Sequence, residues 1–427
     1  MKKLVEWKNK ENRKPLIIRG ARQVGKTWIM KEFGRRHFKN VAYVNFDSNE
    51  RMAEVFESNL DINRILLAIN AETGVKIEAG ETLIIFDEVQ EVPRALGSLK
   101  YFCENASEYA VVAAGSLLGI ALHQGTSFPV GKVDFLDLYP LSFNEFLLAR
   151  GEAALVELLQ VKDYSLINSF HEKYVEYMKE YFFVGGMPEA VLTFVNQKDF
   201  GEVRKVQLNL LDYYAQDFSK HAPIREVARI NMVWNSIGMQ LAKENKKFFY
   251  GQIKKGARAS EFELAIQWLR DCGLVHTVNR VSKPAYPLKA YIDFGAFKMF
   301  MMDIGLLCAQ NEIDIQTILE GNKLFVEFKG AMSEQFVLQE LITAGKQPFY
   351  YATETARGEI DFMLQLRSDI VPIEVKAGEN VKQMQSLKAY NEKYQPHMAV
   401  RISGLPYQKE DWLVNLPLYM TAAINDI

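Results

Sequence analysis

The sequence predicts an α/β fold in which helices cover both faces of a parallel sheet, with further domains after it. Over residues 1–145, short apolar runs typical of buried strands alternate with helical segments, and the connections between them are short. The first apolar run, Pro15–Ile18, overlaps a predicted strand, Leu16–Arg19, that leads directly into a glycine-rich turn and then a helical segment. At 427 residues the chain is too long for one hydrophobic core, so we expect about two to four domains.

The first domain, residues 1–145, takes its predicted element order from this alternation. After the strand Leu16–Arg19 we expect a helix over 26–38, a strand over 41–46 and a helix over 52–69. A strand over 82–86, a helix over 95–104 and a strand over 109–114 complete the domain. The alternation of strands with helices, joined by short links, favours parallel strands, and a ligand is expected at the carboxyl ends of such strands.

The turn after the first strand has the G-x-x-x-x-G-K-T pattern of a phosphate loop. Its glycines let the backbone wrap closely round phosphate groups, and the first amides of the next helix point at them. Lys26 is expected to reach the β- and γ-phosphates, and the hydroxyl of Thr27 to bind Mg²⁺. The predicted nucleotide-binding residues are Gly20, Ala21, Gln23, Val24, Gly25, Lys26, Thr27 and Asp87.

A pair of carboxylates supports the same interpretation. Asp87 and Glu88 follow directly on the apolar strand over 82–86. Asp87 is expected to hold the Mg²⁺ through water, and Glu88 to orient and deprotonate the attacking water. A glycine turn that matched by accident would lack this second element. The sequence therefore predicts a P-loop NTPase sheet that binds ATP and Mg²⁺.

Composition limits the classes of function. Hydrophobic residues make up 48% of the chain and charged residues 24%, as in an ordinary globular protein. The net charge of −2 gives no overall attraction for nucleic acid, so any such contact must be local. The three cysteines lie far apart in the sequence and favour a reducing, cytoplasmic setting. No apolar stretch is long enough to span a bilayer, so we expect no membrane partner.

The next two parts of the chain are predicted to be a helical lid and a winged helix. Residues 146–225 have a helical pattern rich in aromatic side chains, which favours a lid that packs on the phosphate-loop domain. Within residues 226–315, three helical segments precede two strand-like runs at 274–278 and 288–292. Three helices followed by a hairpin is the winged-helix plan, a relative of the helix-turn-helix.

Basic residues crowd one part of this winged-helix region. They are Lys246, Lys247, Lys254, Lys255 and Arg258. Such a patch suits contacts to the phosphates of DNA. Winged helices also dock proteins, and a charge cluster is often only a solvated face. The sequence therefore leaves a DNA partner and a protein partner both open.

The C-terminal region, residues 321–427, has the order helix, three strands, helix, strand, which resembles the core of PD-(D/E)xK nucleases. Asp361 and Glu374 on neighbouring strands, with Glu334 from the helix, are the predicted ligands of a divalent metal. Lys376 shares a face of its strand with Glu374 and is expected to position the attacking water. Two alternatives remain, a cross-strand salt-bridge cluster and a degenerate nuclease fold retained for binding.

Several strings of residues together resemble a large prokaryotic ATPase family. They are Arg-Gly-Ala-Arg-Gln-Val-Gly-Lys-Thr (19–27), Phe-Asp-Glu-Val-Gln (86–90), Gly-Ser-Leu-Leu-Gly (115–119), Leu-Tyr-Pro-Leu-Ser-Phe-Asn-Glu-Phe (138–146), Gly-Gly-Met-Pro-Glu (185–189) and Met-Asp-Ile-Gly-Leu (302–306). Members of this family join an AAA-type domain to a C-terminal region of unknown function. The resemblance covers nearly the whole chain.

The resemblance implies one further catalytic residue and shows one departure. In AAA-type ATPases, a polar residue at the position of Ser116 lies beside the γ-phosphate and the catalytic water. A serine that caps the following helix is an equally good interpretation. Relatives often have an arginine before the string 138–146, whereas this chain has Lys132, which lacks the planar fork of arginine. Arg94 and Arg22 are the weaker substitutes for an arginine finger.

Two functional hypotheses follow. The first is an ATP-hydrolysing AAA-type protein that acts on nucleic acid, with a C-terminal domain that cuts or grips DNA. The second is an ATP-dependent regulatory switch whose C-terminal domains bind a protein partner without nuclease activity. The predicted catalytic residues are Glu88, Ser116 and Lys376, and the sequence leaves the oligomeric state open.

Overall fold

The computed structural model describes residues 1–115, 128–243, 246–320, 326–353, 358–377 and 384–426. The chain divides into two units. The first comprises Met1–Tyr139 and Asp271–Leu274, and the second comprises Pro140–Arg270 and Val275–Ile427. The phosphate loop belongs to the first unit. The C-terminal region and most of the predicted winged helix belong to the second.

The first unit contains a parallel sheet. Its described strands are β1 (Leu16–Arg19), β2 (Asn40–Asn45), β3 (Thr82–Asp87), β4 (Ala110–Ala114) and β5 (Asp134–Asp137). Their order across the sheet is β2-β3-β4-β1-β5, and every neighbouring pair is parallel. The predicted α/β fold is confirmed. Strand β4 separates β1, which leads into the phosphate loop, from β3, which ends at Asp87.

Helices pack on both faces of this sheet. They are α1 (Lys2–Lys8), α2 (Lys26–His37), α3 (Glu50–Ser58), α4 (Ile62–Thr73) and α5 (Pro93–Asn105). Successive side chains of a strand point to opposite faces, so Leu83 and Ile85 of β3 join one core while Ile84 and Phe86 join the other. Strand β3 is buried along its whole length, so it fixes the position of Asp87.

Two local features of this unit differ from the prediction. The helix expected over 52–69 is two helices, because Asp61 between them accepts a hydrogen bond from the amide of Arg64 and so caps a new helix. Strand β5 was not predicted, since its short run of alternating polar and apolar residues lies only half-buried at the edge of the sheet.

The second unit begins with helices. They are α6 (Phe143–Ala149), α7 (Ala153–Val161), α8 (Tyr164–Ser169), α9 (His171–Val184), α10 (Pro188–Gln197), α11 (Phe200–His221), α12 (Ile224–Leu241), α13 (Tyr250–Ile253) and α14 (Ala259–Asp271). Further along the chain come α15 (Ile304–Gln310), α16 (Ile315–Glu320), α17 (Val326–Thr343) and α18 (Gln385–Tyr394). Among the described residues, no helix combines the length and the apolar character that a bilayer crossing requires.

A mixed sheet forms the rest of the second unit. Its described strands are β6 (Val275–Val281), β7 (Ile292–Met301), β8 (Phe349–Ala352), β9 (Glu359–Leu366), β10 (Asp369–Lys376), β11 (Ala399–Ser403), β12 (Gln408–Lys409) and β13 (Leu413–Pro417). Their order is β12-β13-β11-β10-β9-β8-β6-β7. Strands β6 and β7 pair antiparallel, and β6 pairs parallel with β8. The hairpin of the predicted winged helix is therefore continuous with the C-terminal sheet.

The second strand of this hairpin begins later than predicted. Residues Leu288–Tyr291, expected as part of the strand, form a 3₁₀ turn, and β7 starts at Ile292. Pro287 has no amide hydrogen to donate to a neighbouring strand. The amide of Leu288 donates to the side chain of Gln365 at 3.1 Å.

Three of the strings that carry the family resemblance meet in a buried polar network of the second unit. The carboxylate of Asp303 accepts hydrogen bonds from the amides of Gly186 at 2.7 Å and Leu306 at 3.0 Å. The amide of Leu141 in turn donates to the carbonyl of Gly186 at 2.7 Å. These contacts give the strings a structural role, because each satisfies backbone groups of another.

Candidate nucleotide-binding site

The phosphate loop joins β1 to α2 in a tight, partly left-handed turn. Gln23 and Gly25 have positive φ values of 63° and 91°. A Cβ atom on Gly20 would lie 2.2 Å from the carbonyl oxygen of Leu138, so only glycine fits there. Helix α2 begins at Lys26, directly after the loop. The free amides of its first turn therefore face the position of the phosphates.

Lys26 lies folded against the loop. Its Nζ donates to the carbonyl oxygens of Gly20 at 2.9 Å and Ala21 at 2.7 Å. Burial lowers the pKa of Lys26 to about 8, although the carboxylates of Glu88 and Asp87 act in the opposite direction. The ammonium group is thus desolvated, and it is held by carbonyls that a phosphate can replace.

Asp87 is the centre of a small hydrogen-bond network. Its Oδ2 accepts from the hydroxyl of Thr27 at 2.6 Å and from the hydroxyl of Tyr43 at 3.0 Å. Its Oδ1 accepts from the amide of Glu88 at 3.1 Å. Burial, followed by the charge of Asp87, raises the pKa of Tyr43, so this hydroxyl remains a donor. The sequence did not single out Tyr43, whose contact depends on the pairing of β2 with β3.

Glu88 stands where the chain turns sharply after β3. It has a left-handed backbone with φ of 51°. Oε2 of its carboxylate accepts from the side-chain amide of Gln90 at 2.6 Å. Gln90 is the last residue of the string 86–90, so the sequence indicated its position. Its contact with Glu88 was not predicted.

The polar groups at this site are of the types that bind a magnesium ion and a nucleotide. Thr27 and Asp87 bring a hydroxyl and a carboxylate oxygen to within 2.6 Å of each other, and Mg²⁺ prefers oxygen ligands of these types. Lys26 and the helix amides supply positive charge beside them. Of the other predicted residues, Ala21 and Val24 are buried and shape the loop, while Ser116 lies outside the described residues.

Comparison with protein families supports the assignment. Residues 12–147 match the model of a family described as AAA domain. This part of the chain is an AAA-type P-loop domain. Residues 175–317 match a domain of unknown function, DUF8612, and residues 329–419 match another, DUF4143. None of the curated proteins matches the chain.

Solved structures similar to the chain include a Walker-type ATPase of Pyrococcus abyssi, with 14% identity and a TM-score of 0.45 over 73% of this chain and 94% of that chain. Another is the ORC1 protein of Aeropyrum pernix in complex with DNA, with 14% identity and a TM-score of 0.27 over 74% and 91% of the two chains. The ORC2 protein of the same organism has 15% identity and a TM-score of 0.34 over 72% and 89%.

Arg94, a weak substitute for an arginine finger, and Lys132, which stands where relatives often have the arginine, both have structural partners. Nε of Arg94 donates to the carbonyl oxygen of Phe56 at 3.0 Å. Lys132 pairs with Glu104 at 2.9 Å. The sequence left the identity of an arginine finger open, and these contacts assign that role to neither side chain.

In the second unit, the four residues of the predicted nuclease site lie in one cluster. Lys376 pairs with Glu374 at 2.6 Å, and Oδ2 of Asp361 accepts from the amide of Val375 at 2.8 Å. Burial, followed by the charges of Glu334 and Glu374, raises the pKa of Asp361. The sequence thus predicted which residues assemble. Their metal-binding and catalytic roles remain predictions.

Two lysines that were not part of the predicted nuclease site form ion pairs with this cluster. Lys298 of β7 is fully buried and lies 2.5 Å from Glu359, 3.4 Å from Glu334 and 3.9 Å from Asp361. Lys246 forms an ion pair with Glu334. Burial opposes the charge of Glu334, but these two lysines hold its pKa below the usual value. Within the described residues, no group of three His, Cys, Asp or Glu side chains is arranged to hold a metal ion.

The basic patch is only partly at the surface. Lys254, Lys255 and Arg258 are exposed in the segment between α13 and α14. Lys246 points inward to Glu334 instead, with 13% of its side chain exposed. The sequence could not separate these lysines, because the partner of Lys246 lies far along the chain.

Proposed function

We propose that the AAA domain binds ATP with Mg²⁺ and hydrolyses it. The observation that carries this proposal is the contact of 2.6 Å between the Thr27 hydroxyl and the Asp87 carboxylate, at the mouth of a phosphate loop. It combines two motifs that are far apart in the sequence. A chance glycine turn would not bring a magnesium-type donor pair to the start of helix α2.

Lys26 supplies the charge for the phosphates. Its present acceptors are the carbonyl oxygens of Gly20 and Ala21, which carry only partial charges. Phosphate oxygens are stronger acceptors for an ammonium group. The side chain is therefore expected to exchange these carbonyls for the β- and γ-phosphates, and the free helix amides bind the same groups.

Thr27 and Asp87 would hold the Mg²⁺, whose charge offsets that of the β- and γ-phosphates. Tyr43 keeps the Asp87 carboxylate in place by donating to Oδ2 at 3.0 Å. Because Asp87 ends a fully buried strand, the carboxylate has little freedom to move.

Glu88 is the proposed general base. Its carboxylate takes a proton from water as the water oxygen bonds to the γ-phosphorus, while the bond from that phosphorus to the bridging oxygen breaks and ADP leaves. Gln90 donates to Oε2 of Glu88 and so orients the carboxylate. A positioned base of this kind accelerates such a step by about 10²- to 10⁴-fold.

Equilibrium binding tests the nucleotide site. Lys26→Ala should weaken ATP binding by roughly tenfold to a hundredfold, the usual effect of losing a hydrogen bond to a charged group. Thr27→Ala should retain binding but lose most of its dependence on Mg²⁺. Lys3→Ala removes an exposed charge from α1 of the same unit and serves as the control. Equal affinity of Lys26→Ala and Lys3→Ala would contradict the site.

Action on nucleic acid is a second proposal, favoured by the exposed Lys254, Lys255 and Arg258. These residues carry positive charge in the region that follows the winged-helix order of elements. They suit phosphate contacts, which give affinity without sequence specificity. The alternative is a protein partner for the same surface, and retention of DNA in a salt-dependent manner decides between them.

Metal-dependent cleavage by the C-terminal region receives little support from the contacts of its cluster. The carboxylates that would bind the metal have ammonium partners. The proposed function therefore includes gripping of DNA or of a protein by the second unit, and not its cleavage.

A further inference from the structure

The carboxylate cluster of the second unit has a buried lysine at its centre. Lys298 projects from β7, and its ammonium group lies against Glu334 of α17 and against Glu359 and Asp361 of β9. The side chain has no exposed surface. We propose that this ammonium group stands in the place of a divalent cation, so that the cluster joins strands and helix and is not a cleavage centre.

The balance of charge supports this proposal. The cluster contains four carboxylates, those of Glu334, Glu359, Asp361 and Glu374, and three ammonium groups, those of Lys246, Lys298 and Lys376. With every one of these groups ionised, four negative charges against three positive ones leave a formal charge of −1. A divalent cation would add two positive charges beside three ammonium groups. The carboxylates that would attract such an ion already interact with these ammonium groups, which would repel it.

Lys298 cannot leave the cluster easily. It lies within a paired strand, opposite Val278 of β6. Its ammonium also lies over the ring of Tyr350, 5.1 Å from the ring centre. Displacement by a metal would leave a buried ammonium without its carboxylates, which is among the costliest arrangements in a protein interior.

The position of Lys298 also explains what the cluster does. Strand β7 belongs to the hairpin of the predicted winged helix, whereas Glu359 and Asp361 belong to the C-terminal region. Sheet continuity through the β6–β8 pair brings the two together. Lys298 therefore links the hairpin to the C-terminal strands through its ion pairs. This link favours a single binding module over an independent nuclease domain.

Metal binding in the absence of nucleotide tests the proposal. The amount of Mn²⁺ bound by the 427-residue chain, measured by electron paramagnetic resonance, should be the same for the wild type and Asp361→Asn. Lys298→Met removes the ammonium but retains the bulk of the side chain. This variant should acquire one Mn²⁺ site. At a Mn²⁺ concentration about a hundredfold above the dissociation constant of that site, its thermal unfolding midpoint should rise by several degrees. Adding Asp361→Asn to Lys298→Met should abolish both effects.

The control variant is Lys289→Met, which makes the same charge change at an exposed position of the same region. Wild-type Mn²⁺ binding that is lost in Asp361→Asn would overturn the proposal, and so would a folded Lys298→Met variant that binds no more Mn²⁺ than Lys289→Met. If Lys298→Met does not fold, the comparison of wild type with Asp361→Asn still decides between a metal site and a lysine-filled one.

Discussion

Alkaline pH should weaken ATP binding, because Lys26 must be charged to bind phosphates. Burial lowers the pKa of Lys26 to about 8 from its ordinary value of 10.5. The free protein therefore has the ammonium form below pH 8 and loses it as the pH rises through 8. Since one pKa unit corresponds to about 1.4 kcal/mol, the buried charge costs about 3 kcal/mol before nucleotide binds.

The magnitude follows from the population of the charged form. With a pKa of about 8, roughly nine tenths of Lys26 is protonated at pH 7 and roughly one tenth at pH 9. If only the ammonium form binds the phosphates, the apparent affinity for ATP falls about tenfold between these pH values. Binding at pH 9 should then be accompanied by the uptake of nearly one proton, because the phosphates raise the pKa of Lys26.

Isothermal titration calorimetry in two buffers of different ionisation enthalpy measures both quantities. Lys26→Arg is the matched variant, since a guanidinium stays charged at pH 9. Whatever its affinity, that variant should show neither the tenfold loss nor the proton uptake. A wild-type affinity that is equal at pH 7 and pH 9, or an equal loss in Lys26→Arg, would refute the role of the Lys26 ammonium.

Two further predictions concern the second unit. Changing the exposed Lys254, Lys255 and Arg258 to glutamate should weaken DNA binding for every sequence and reduce its salt slope by about 0.9 for each phosphate that the variant no longer neutralises. The control variant changes three other exposed lysines, Lys388, Lys393 and Lys409, to glutamate. If both triple variants lose DNA affinity equally in a filter-binding assay, the result would favour a protein partner. Gly186→Ala should lower the free energy of unfolding by about 1 to 3 kcal/mol in urea, because its Cβ would lie 2.1 Å from the carbonyl oxygen of Leu141. Gly330→Ala lies inside a helix with no atom within 4 Å of the new Cβ and should be neutral or stabilising. If Gly330→Ala destabilised the protein more than Gly186→Ala, the close packing of Gly186 against Leu141 would be contradicted.

The nucleotide site could be predicted because its motifs are local. The loop from Gly20 to Thr27 follows the end of β1, and the pair Asp87 and Glu88 lies at the end of β3. A short segment of sequence therefore specifies the conformation of each motif. Tyr43 could not be predicted in the same way. Its hydroxyl meets Asp87 only because β2 and β3 are neighbours in register, which no short segment specifies.

The C-terminal cluster shows the same limit more strongly. The alternation of β9 and β10 predicts that Asp361, Glu374 and Lys376 come together, and the pairing of these strands agrees. Lys298 reaches them from a strand that the sequence assigns to another region. Its role depends on the pairing of β6 with β8, a contact between distant segments. A pattern of carboxylates alone therefore cannot distinguish a metal site from one filled by lysine.

Phosphate release from MgATP is the measurement that tests ATP hydrolysis most directly. Glu88→Gln should bind ATP as tightly as the wild type but hydrolyse it about 10²- to 10⁴-fold more slowly, because the amide cannot take the proton of water. Glu81→Gln, an exposed residue directly before β3, should hydrolyse ATP at the wild-type rate. A Glu88→Gln variant that releases phosphate at the wild-type rate would contradict the assignment of the base, and a wild type that binds MgATP without releasing phosphate would contradict the proposed hydrolysis.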